Sequence, residues 1–196
     1  KSINLIVDIT NYILLEQGQP LHAFDKDKLS KLIGKSVSQN DFGIREANEG
    51  ETLNGLDGCI YSLNKNINII TCNDIPIAIA GVIGGIETSV TDSTTSIFLE
   101  AAVFNSASIR KSSKEIGLRT ESSSRFEKGI SNKNTVPSVK RAIKIFSEFF
   151  NISNQILYIS KGINDDQKLI KLRRDRIHKI LGPIKIKNID NSNDLV

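Results

Sequence analysis

Hydrophobic residues alternate with polar ones in short runs over about the first hundred positions and recur at helical spacing over about the next fifty. The alternation and the β-branched content predict strands at residues 3–7, 42–47, 59–63, 67–72, 75–81 and 96–104. Polar turn sequences at 56–58 and 63–66 separate neighbouring strands, which favours a meander or consecutive hairpins.

Helical spacing predicts a first helix that Asp8 caps and that ends at Gly18. Two further amphipathic helices are expected at 105–117 and 136–150, and a last strand is expected at 155–160. Strands therefore come early and helices mostly late, without strict βαβ alternation. This order predicts an α+β fold in which mixed or antiparallel β-sheets are flanked by helices.

The pattern restarts after NDDQ (164–167), with a strand expected at 168–173 and a short basic helix that runs to Gly182 and Pro183. We therefore expect residues 1–163 to form one domain and residues 164–196 to begin a small, truncated second module. The sequence contains no methionine, even at its first position, which suggests a segment of a longer protein.

The net charge of +4 is modest, and the densest basic cluster lies at 171–179. Such a cluster is either a solvated helix face or part of a nucleic-acid interface. Cys59 and Cys72 are isolated and lack a CxxC pattern, so we expect two buried reduced thiols, no zinc site and a cytoplasmic protein. Neither a signal peptide nor an apolar run long enough to cross a membrane is visible.

Two titratable residues stand out from their surroundings. His22 lies in GQPLHAFD (18–25), where an ordered turn is expected; it is either a core residue or a catalytic group, and it has no metal partner nearby. Glu100 lies inside the apolar FLEAAVF (98–104), where a carboxylate costs several kcal/mol unless it is paired. Glu100 therefore either lines a pocket or faces outward from the strand.

Two further segments are rich in glycine or in hydroxyl groups. The glycines of AGVIGG (80–85) either let a ligand approach the backbone or form a tight strand exit, and they match neither a dinucleotide-binding motif nor a P-loop. GLRTESSSRFEKG (117–129) resembles a polar loop in which Thr120 and Ser122 point the same way. Its arginines meet phosphate or anchor neighbouring glutamates.

Taken together and in this order, VDITNYILLEQGQPLHAFD, AIAGVIGG, VTDSTTSIFLEAAVFN and GLRTESSSRFEKG resemble the B3/B4 region of bacterial phenylalanyl-tRNA synthetase β subunits. The resemblance runs from Lys1 to about Gly129 and continues less specifically to about residue 160. The tail KLIKLRRDRIHKILG resembles the start of the B5 module that follows in the family.

The resemblance implies an editing domain that hydrolyses tyrosine wrongly attached to tRNA(Phe). It implies that His22 is catalytic and that Glu100 recognises the tyrosine hydroxyl. It implies a pocket formed with Gly84, Gly85, Thr120 and Ser122, and tRNA contacts by Lys1, Arg119 and Arg125. The sequence departs from the family at Ser122, where some relatives have alanine, at Lys1, where many have arginine, and at Ile83, where methionine is common.

For the whole enzyme, the resemblance implies an α subunit in an (αβ)2 heterotetramer, the 3′ end of tRNA(Phe) as partner, and ATP with Mg²⁺. It implies no cofactor or metal in this segment and neither membrane nor DNA as partner. The alternative to an editing hydrolase is a non-catalytic scaffold or tRNA-binding role. In a third interpretation, the basic tail binds nucleic acid in its own right. If the first interpretation is correct, His22, Gly84, Glu100 and Thr120 should surround one cavity.

Overall fold

The structure is a computed structural model that describes residues 2–153, 155–159 and 171–182. Spatial contacts divide the chain after Ile159 into two compact units. The domain boundary expected after residue 163 lies outside the described residues. No helix among the described residues is long and apolar enough to cross a membrane.

The first unit combines helices with short strands. Its helices are α1 (Leu5–Gln17), α2 (Lys26–Ile33), α3 (Ser106–Ile116), α4 (Glu121–Phe126) and α5 (Asn132–Phe149). Its strands are β1 (Leu21–Asp25), β2 (Phe42–Glu46), β3 (Thr52–Asn54), β4 (Ile60–Ser62), β5 (Asn68–Cys72), β6 (Ile75–Ile79), β7 (Ile83–Gly84) and β8 (Ile97–Ala101). The described part of the second unit contains α6 (Arg174–Leu181).

The strands form three antiparallel arrangements. The central sheet has the order β2-β5-β6-β7, β1 pairs with β8 in a two-stranded ribbon, and β3 pairs with β4 in a hairpin. The α+β prediction is confirmed, and the strand pairs of the described residues are antiparallel rather than mixed.

The side chains of the β1–β8 ribbon alternate between its two faces, and each face carries apolar residues that pack against a different layer. Leu21, Ile97 and Leu99 pack against the buried cluster that α1 and α5 form. Phe24 and Phe98, which point the other way, pack with the cluster that contains residues of β5, β6 and α2. The ribbon therefore lies between a helical layer and the central sheet, and this placement decides what its polar residues meet.

The central sheet is buried on both sides. Ile69 of β5 packs with Ile109 of α3 and Phe126 of α4, whereas the next residue, Ile70, belongs to the cluster that faces the ribbon. Helices α3 and α4 thus cover one face, and α2 together with the ribbon covers the other. This layering fixes the position of the short strand β7 at the edge of the sheet.

The strand predicted at residues 3–7 is wrong, because α1 already begins at Leu5. Asn4 caps it instead of Asp8: its side chain accepts a hydrogen bond from the Val7 N–H at 2.9 Å. A local cap and the apolar face that α1 shares with α5 override the short apolar run. The predicted end of the helix at Gly18 is confirmed, with a left-handed φ of 72°.

Helix α5 begins at Asn132, before the expected start at 136, and Pro137 lies inside it. Ser131 caps it by accepting a hydrogen bond from the Lys133 N–H, so the capping residue rather than the proline sets the start. The strand predicted at 155–160 is wrong for residues 155–159, which have no regular structure, and residue 160 lies outside the described residues.

The predicted strand at 168–173 is absent at 171–173, and its first residues lie outside the described part. The basic helix after it is confirmed as α6 and is followed by Gly182, while Pro183 is outside the described residues. The other predicted strands all occur, generally in shorter form. The sequence did not predict α2, α4, β1, β3 or β7.

Candidate functional site

His22 and Glu100 lie directly opposite each other on the ribbon. In the β1–β8 register His22 pairs with Glu100, one position from the Leu21–Ala101 pair. Directly opposed residues of antiparallel strands project to the same face, with Cβ atoms about 4.5–5.5 Å apart. Two residues far apart in sequence are therefore neighbours, on the face that also carries Phe24 and Phe98.

The imidazole of His22 is packed rather than hydrogen-bonded. Its ring meets Phe24 edge-on, with ring centroids 4.5 Å apart and an interplanar angle of 79°. Its Nε2 is shielded from solvent and has no hydrogen-bond partner among the described residues. Burial lowers the pKa of His22 to about 4, so the ring is neutral near pH 7.

The carboxyl group of Glu100 is also without a protein partner. The residue keeps some solvent exposure, yet protein atoms surround the carboxyl group and raise its pKa to about 7. Within the described residues it accepts no hydrogen bond and forms no ion pair. Burial therefore disfavours the charged form of a carboxyl group that has no protein partner within the described residues.

Gly84 joins this pair from the central sheet. It lies in β7 opposite Ala78, and a Cβ placed on it would lie 2.5 Å from both Cε1 and Nε2 of His22. Only glycine allows the imidazole to approach the β7 backbone so closely. The same Cβ would lie 3.2 Å from a methyl carbon of Leu56, so three residues from different parts of the chain, namely Gly84, His22 and Leu56, meet at this point.

The adjacent Gly85 has a different environment. Its N–H donates to the Ile77 carbonyl at 2.8 Å, and it forms an isolated bridge with Gly55. A Cβ on Gly85 would lie 2.8 Å from the Ile77 carbonyl oxygen, which is backbone and cannot move freely. Gly85 therefore connects the β3–β4 hairpin to the central sheet, a structural role for a residue that the resemblance places in the pocket.

Thr120 is the capping residue of α4. Its hydroxyl donates to the Val82 carbonyl at 2.9 Å and accepts from the Ser123 N–H at 3.1 Å. It thereby ties the start of α4 to the segment immediately before β7. Ser122, in the first turn of α4, makes no side-chain hydrogen bond within the described residues. The structure contains no hydrogen bond from either hydroxyl to His22 or Glu100.

The two arginines of this region pair with glutamates of the same segment. Arg119 lies 3.6 Å from Glu127, and Arg125 lies 2.6 Å from Glu121. Of the two roles considered for these arginines, the contacts match the anchoring of neighbouring glutamates rather than the binding of phosphate. The side chain of Arg119 is nevertheless 65% exposed. Lys1 lies outside the described residues.

Two surface cavities lie away from His22 and Glu100. One, of about 550 Å³, is lined by Arg110, Lys114 and Arg119 among others. The other, of about 290 Å³, is bordered by Arg125 and Lys128. The space over Gly84 is occupied by the imidazole of His22, so the structure brings His22, Glu100 and Gly84 together without an open cavity between them.

Two supporting residues of the GQPLHAFD segment were not predicted. Gln19 is fully buried, and its amide donates to the Ala102 carbonyl at 3.0 Å, which fixes the end of β8. Asp25 caps α2 through the N–H groups of Asp27 and Lys28, at 2.9 and 3.0 Å. An aspartate directly before a helical pattern is the signal that would have identified this cap.

Cys72 is buried as expected, but Cys59 is exposed in the turn of the β3–β4 hairpin, so that expectation is wrong. Cys59 precedes β4 and lies beyond the strand pair that buries Leu53, which explains its exposure. Among the described residues no group of three or more histidine, cysteine or acidic side chains is arranged to hold a metal ion.

A family model described as the B3/4 domain matches residues 1–151. The chain belongs to the B3/4 domain family. The resemblance stated from the motifs is therefore confirmed, and the match covers the whole β1–β8 ribbon, β7 and α4. The His22–Glu100 pair accordingly lies within the B3/4 domain itself.

Three curated relatives of this B3/4 domain are each described as a phenylalanine–tRNA ligase beta subunit. A protein of Prochlorococcus marinus strain MIT 9312 is 63% identical over 186 residues, which is 95% of this chain and 23% of that protein. A protein of Prochlorococcus marinus subsp. pastoris strain MED4 is 64% identical over 194 residues, which is 99% of this chain and 24% of that protein. A protein of Parasynechococcus marenigrum is 44% identical over 193 residues, which is 98% of this chain and 24% of that protein. The chain spans about a quarter of the length of these relatives.

Proposed function

We propose that this B3/4 domain is an editing hydrolase that cleaves the ester of tyrosine attached to tRNA(Phe). The observation that carries the proposal is the unpaired carboxyl group of Glu100, which lies directly across the ribbon from the unpaired imidazole of His22. Gly84 leaves the adjoining backbone without a side chain. These three residues supply a carboxyl group that can accept a hydrogen bond from a hydroxyl, a candidate catalytic imidazole, and a stretch of backbone that the imidazole approaches closely.

Glu100 would distinguish tyrosine from phenylalanine. The two side chains differ by one hydroxyl group, and the phenolic O–H can donate to a carboxylate that has no other partner. Binding phenylalanine would leave Glu100 desolvated and unpaired. A site built to hydrogen-bond a hydroxyl rejects the analogue that lacks it by about 10⁴–10⁵-fold at most.

His22 would act on the water that attacks the ester. Because burial lowers its pKa to about 4, the ring is a weak proton acceptor near pH 7. This favours orienting the water by a hydrogen bond over full general-base catalysis. A hydroxyl of the terminal ribose of the tRNA can then assist the proton transfer. No metal is needed for this reaction.

The proposal places the domain in a larger enzyme, because the curated relatives are tRNA ligase β subunits of which this chain spans about a quarter. We propose an α subunit in an (αβ)2 heterotetramer, the 3′ end of tRNA(Phe) as the partner of this domain, and a cytoplasmic location. ATP and Mg²⁺ would serve aminoacylation at a site outside this chain. Lys1, Arg119 and Arg125 would contact the tRNA.

The test is deacylation of Tyr-tRNA(Phe) and Phe-tRNA(Phe) by the assembled enzyme that contains this chain. We expect hydrolysis of the tyrosyl ester to be strongly preferred, and we expect Glu100→Ala to remove most of that preference because the hydroxyl loses its acceptor. Glu46→Ala, which removes an exposed carboxylate of β2, is the matched control and should behave as wild type. An unchanged preference in Glu100→Ala would contradict the assignment.

A non-catalytic, tRNA-binding role is the second candidate. The cavity of about 550 Å³ beside Arg110, Lys114 and Arg119 favours it, because basic side chains around a concave surface attract phosphate groups. In the same experiment this role predicts no deacylation by the wild-type enzyme, together with weaker tRNA binding when Arg110 and Lys114 are changed to glutamine.

A further inference from the structure

The turn of the β3–β4 hairpin carries an apolar side chain at a position where turns usually have a polar one. The Gly58 N–H donates to the Gly55 carbonyl at 2.9 Å and closes the turn around Leu56 and Asp57. Leu56 is 45% exposed. A large aliphatic side chain in this place adds nothing to the buried clusters, which suggests that it contacts something other than the core.

Leu56 is held firmly despite its exposure. Its N–H donates to the Gly84 carbonyl at 3.0 Å, which attaches the turn to β7. The carboxylate of Asp57 accepts hydrogen bonds from the hydroxyl of Tyr61 and from the N–H of Cys59. These two hydrogen bonds hold the conformation of the turn. The backbone is thus preorganised, and Leu56 does not need to be ordered when a ligand binds.

Leu56 and His22 border the same point in space. A Cβ on Gly84 would lie 3.2 Å from a methyl carbon of Leu56 and 2.5 Å from the imidazole of His22. Leu56 is therefore an apolar neighbour of the point at which the imidazole of His22 packs over Gly84. Glu100 lies across the ribbon from His22 and supplies the polar side of the same region.

We propose that Leu56 is a substrate-binding residue that forms the apolar wall against the aromatic ring of the aminoacyl group. This proposal rests on the proposed editing function. The side chain of Leu56 contacts ring carbons that tyrosine and phenylalanine share, while Glu100 reads the hydroxyl that only tyrosine has. Leu56 therefore supports binding of both rings to a similar extent.

The experiment compares Leu56→Ala, Leu56→Met and wild type in the assembled enzyme, with Tyr-tRNA(Phe) and Phe-tRNA(Phe) as substrates. Because Leu56→Ala removes apolar contact from a hydrophobic wall, we expect kcat/KM to fall about 10-fold for the tyrosyl ester, chiefly through KM. Residual hydrolysis of the phenylalanyl ester should fall by a similar factor, which leaves the ratio unchanged. Leu56→Met should restore most of the activity.

Ile60→Ala is the matched control, because Ile60 is an aliphatic residue of the same hairpin that is 72% exposed. It should retain wild-type activity. Wild-type kinetics in Leu56→Ala, alongside an impaired Glu100→Ala, would overturn the role of Leu56 and leave the editing function standing. A changed ratio in Leu56→Ala would also overturn it, since the residue would then act on the hydroxyl. If the wild-type enzyme hydrolyses neither ester, both proposals fail.

Discussion

Two groups of charged or titratable side chains in this domain differ in one respect, which is whether they have protein partners. Arg45 of β2 donates to Glu51 at 2.6 and 2.9 Å and to Asp74 at 2.6 Å, so each member of this cluster is paired. His22 and Glu100 face each other across the ribbon, and neither has a hydrogen-bond partner among the described residues.

Pairing has opposite consequences for ionisation in these two regions. Hydrogen bonds from Arg45 lower the pKa of Glu51 to about 2, which keeps it charged at any ordinary pH. Burial without compensation moves the pKa of Glu100 up and that of His22 down, towards the neutral form in each case. The members of the paired cluster are satisfied within the fold, whereas the proposed editing function gives the unpaired pair a ligand to bind.

The largest expected effect comes from filling the space over Gly84. Gly84→Trp should abolish deacylation of Tyr-tRNA(Phe), because the indole would displace the imidazole of His22 from the space that it occupies over Gly84. Aminoacylation by the same enzyme should continue, since that reaction is proposed to take place outside this chain. Wild-type deacylation rates in this variant would refute the location of the site.

Alanine at the two adjacent glycines separates function from folding. At Gly84 the added Cβ meets the end of the His22 side chain, which can swing away, so Gly84→Ala should lower deacylation about 10-fold or more with little loss of stability. At Gly85 it meets the Ile77 carbonyl oxygen, so Gly85→Ala should lower the free energy of unfolding by about 1–3 kcal/mol. Thermal melts and deacylation assays of both variants check this. An equal loss of stability in both would contradict the distinction.

The sequence predicted the elements whose stability is local. The glycine end of α1, the helix α3 and the alternating strands β2 and β5 of the central sheet all follow from nearby residues. Strand β1 was missed because its partner β8 is far away in sequence and no local pattern reveals the pairing. Helix α4 was missed because its hydroxyl-rich sequence resembles a loop until Thr120 and Ser123 are seen to cap it.

For the site, the motifs identified His22 and Glu100 as unusual residues. Their direct opposition depends on the register of β1 and β8, which the sequence does not specify on its own. The different roles of Gly84 and Gly85 depend on which atoms lie within a few ångströms of each, and only coordinates supply those distances. Leu56 was missed for the same reason, since it reaches the site through a turn.

A smaller effect should appear in the pH dependence of folding. His22 binds fewer protons when folded between pH 4 and 6.5, so its contribution to stability rises with pH across that window. Glu100 binds more protons when folded between pH 4.5 and 7, so its contribution falls as pH rises. In the wild-type chain the two contributions oppose each other and largely cancel between pH 4.5 and 6.5.

Removing either partner should expose the contribution of the other. Relative to wild type, Glu100→Gln should gain stability on going from pH 4.5 to 6.5, and His22→Gln should lose it, each by about 1–3 kcal/mol. Urea unfolding of the three chains at several pH values measures this. Parallel curves for wild type and both variants would show that neither group is perturbed by burial.

The smallest effect is expected in the paired cluster, where Glu51→Gln removes the charge that Arg45 and the N–H of Asn48 bind. The pKa of Glu51 lies below its ordinary value, so its contribution is fully present above about pH 4.5 and is lost as pH falls towards 2. Partial exposure to solvent limits the loss to about 1 kcal/mol at pH 7. Urea unfolding at pH 7 and pH 3 should show the difference shrinking at the lower pH, with deacylation unchanged. A defect in deacylation would mean that the two regions are coupled and that a complete set of protein partners is not enough to mark a charged cluster as purely structural.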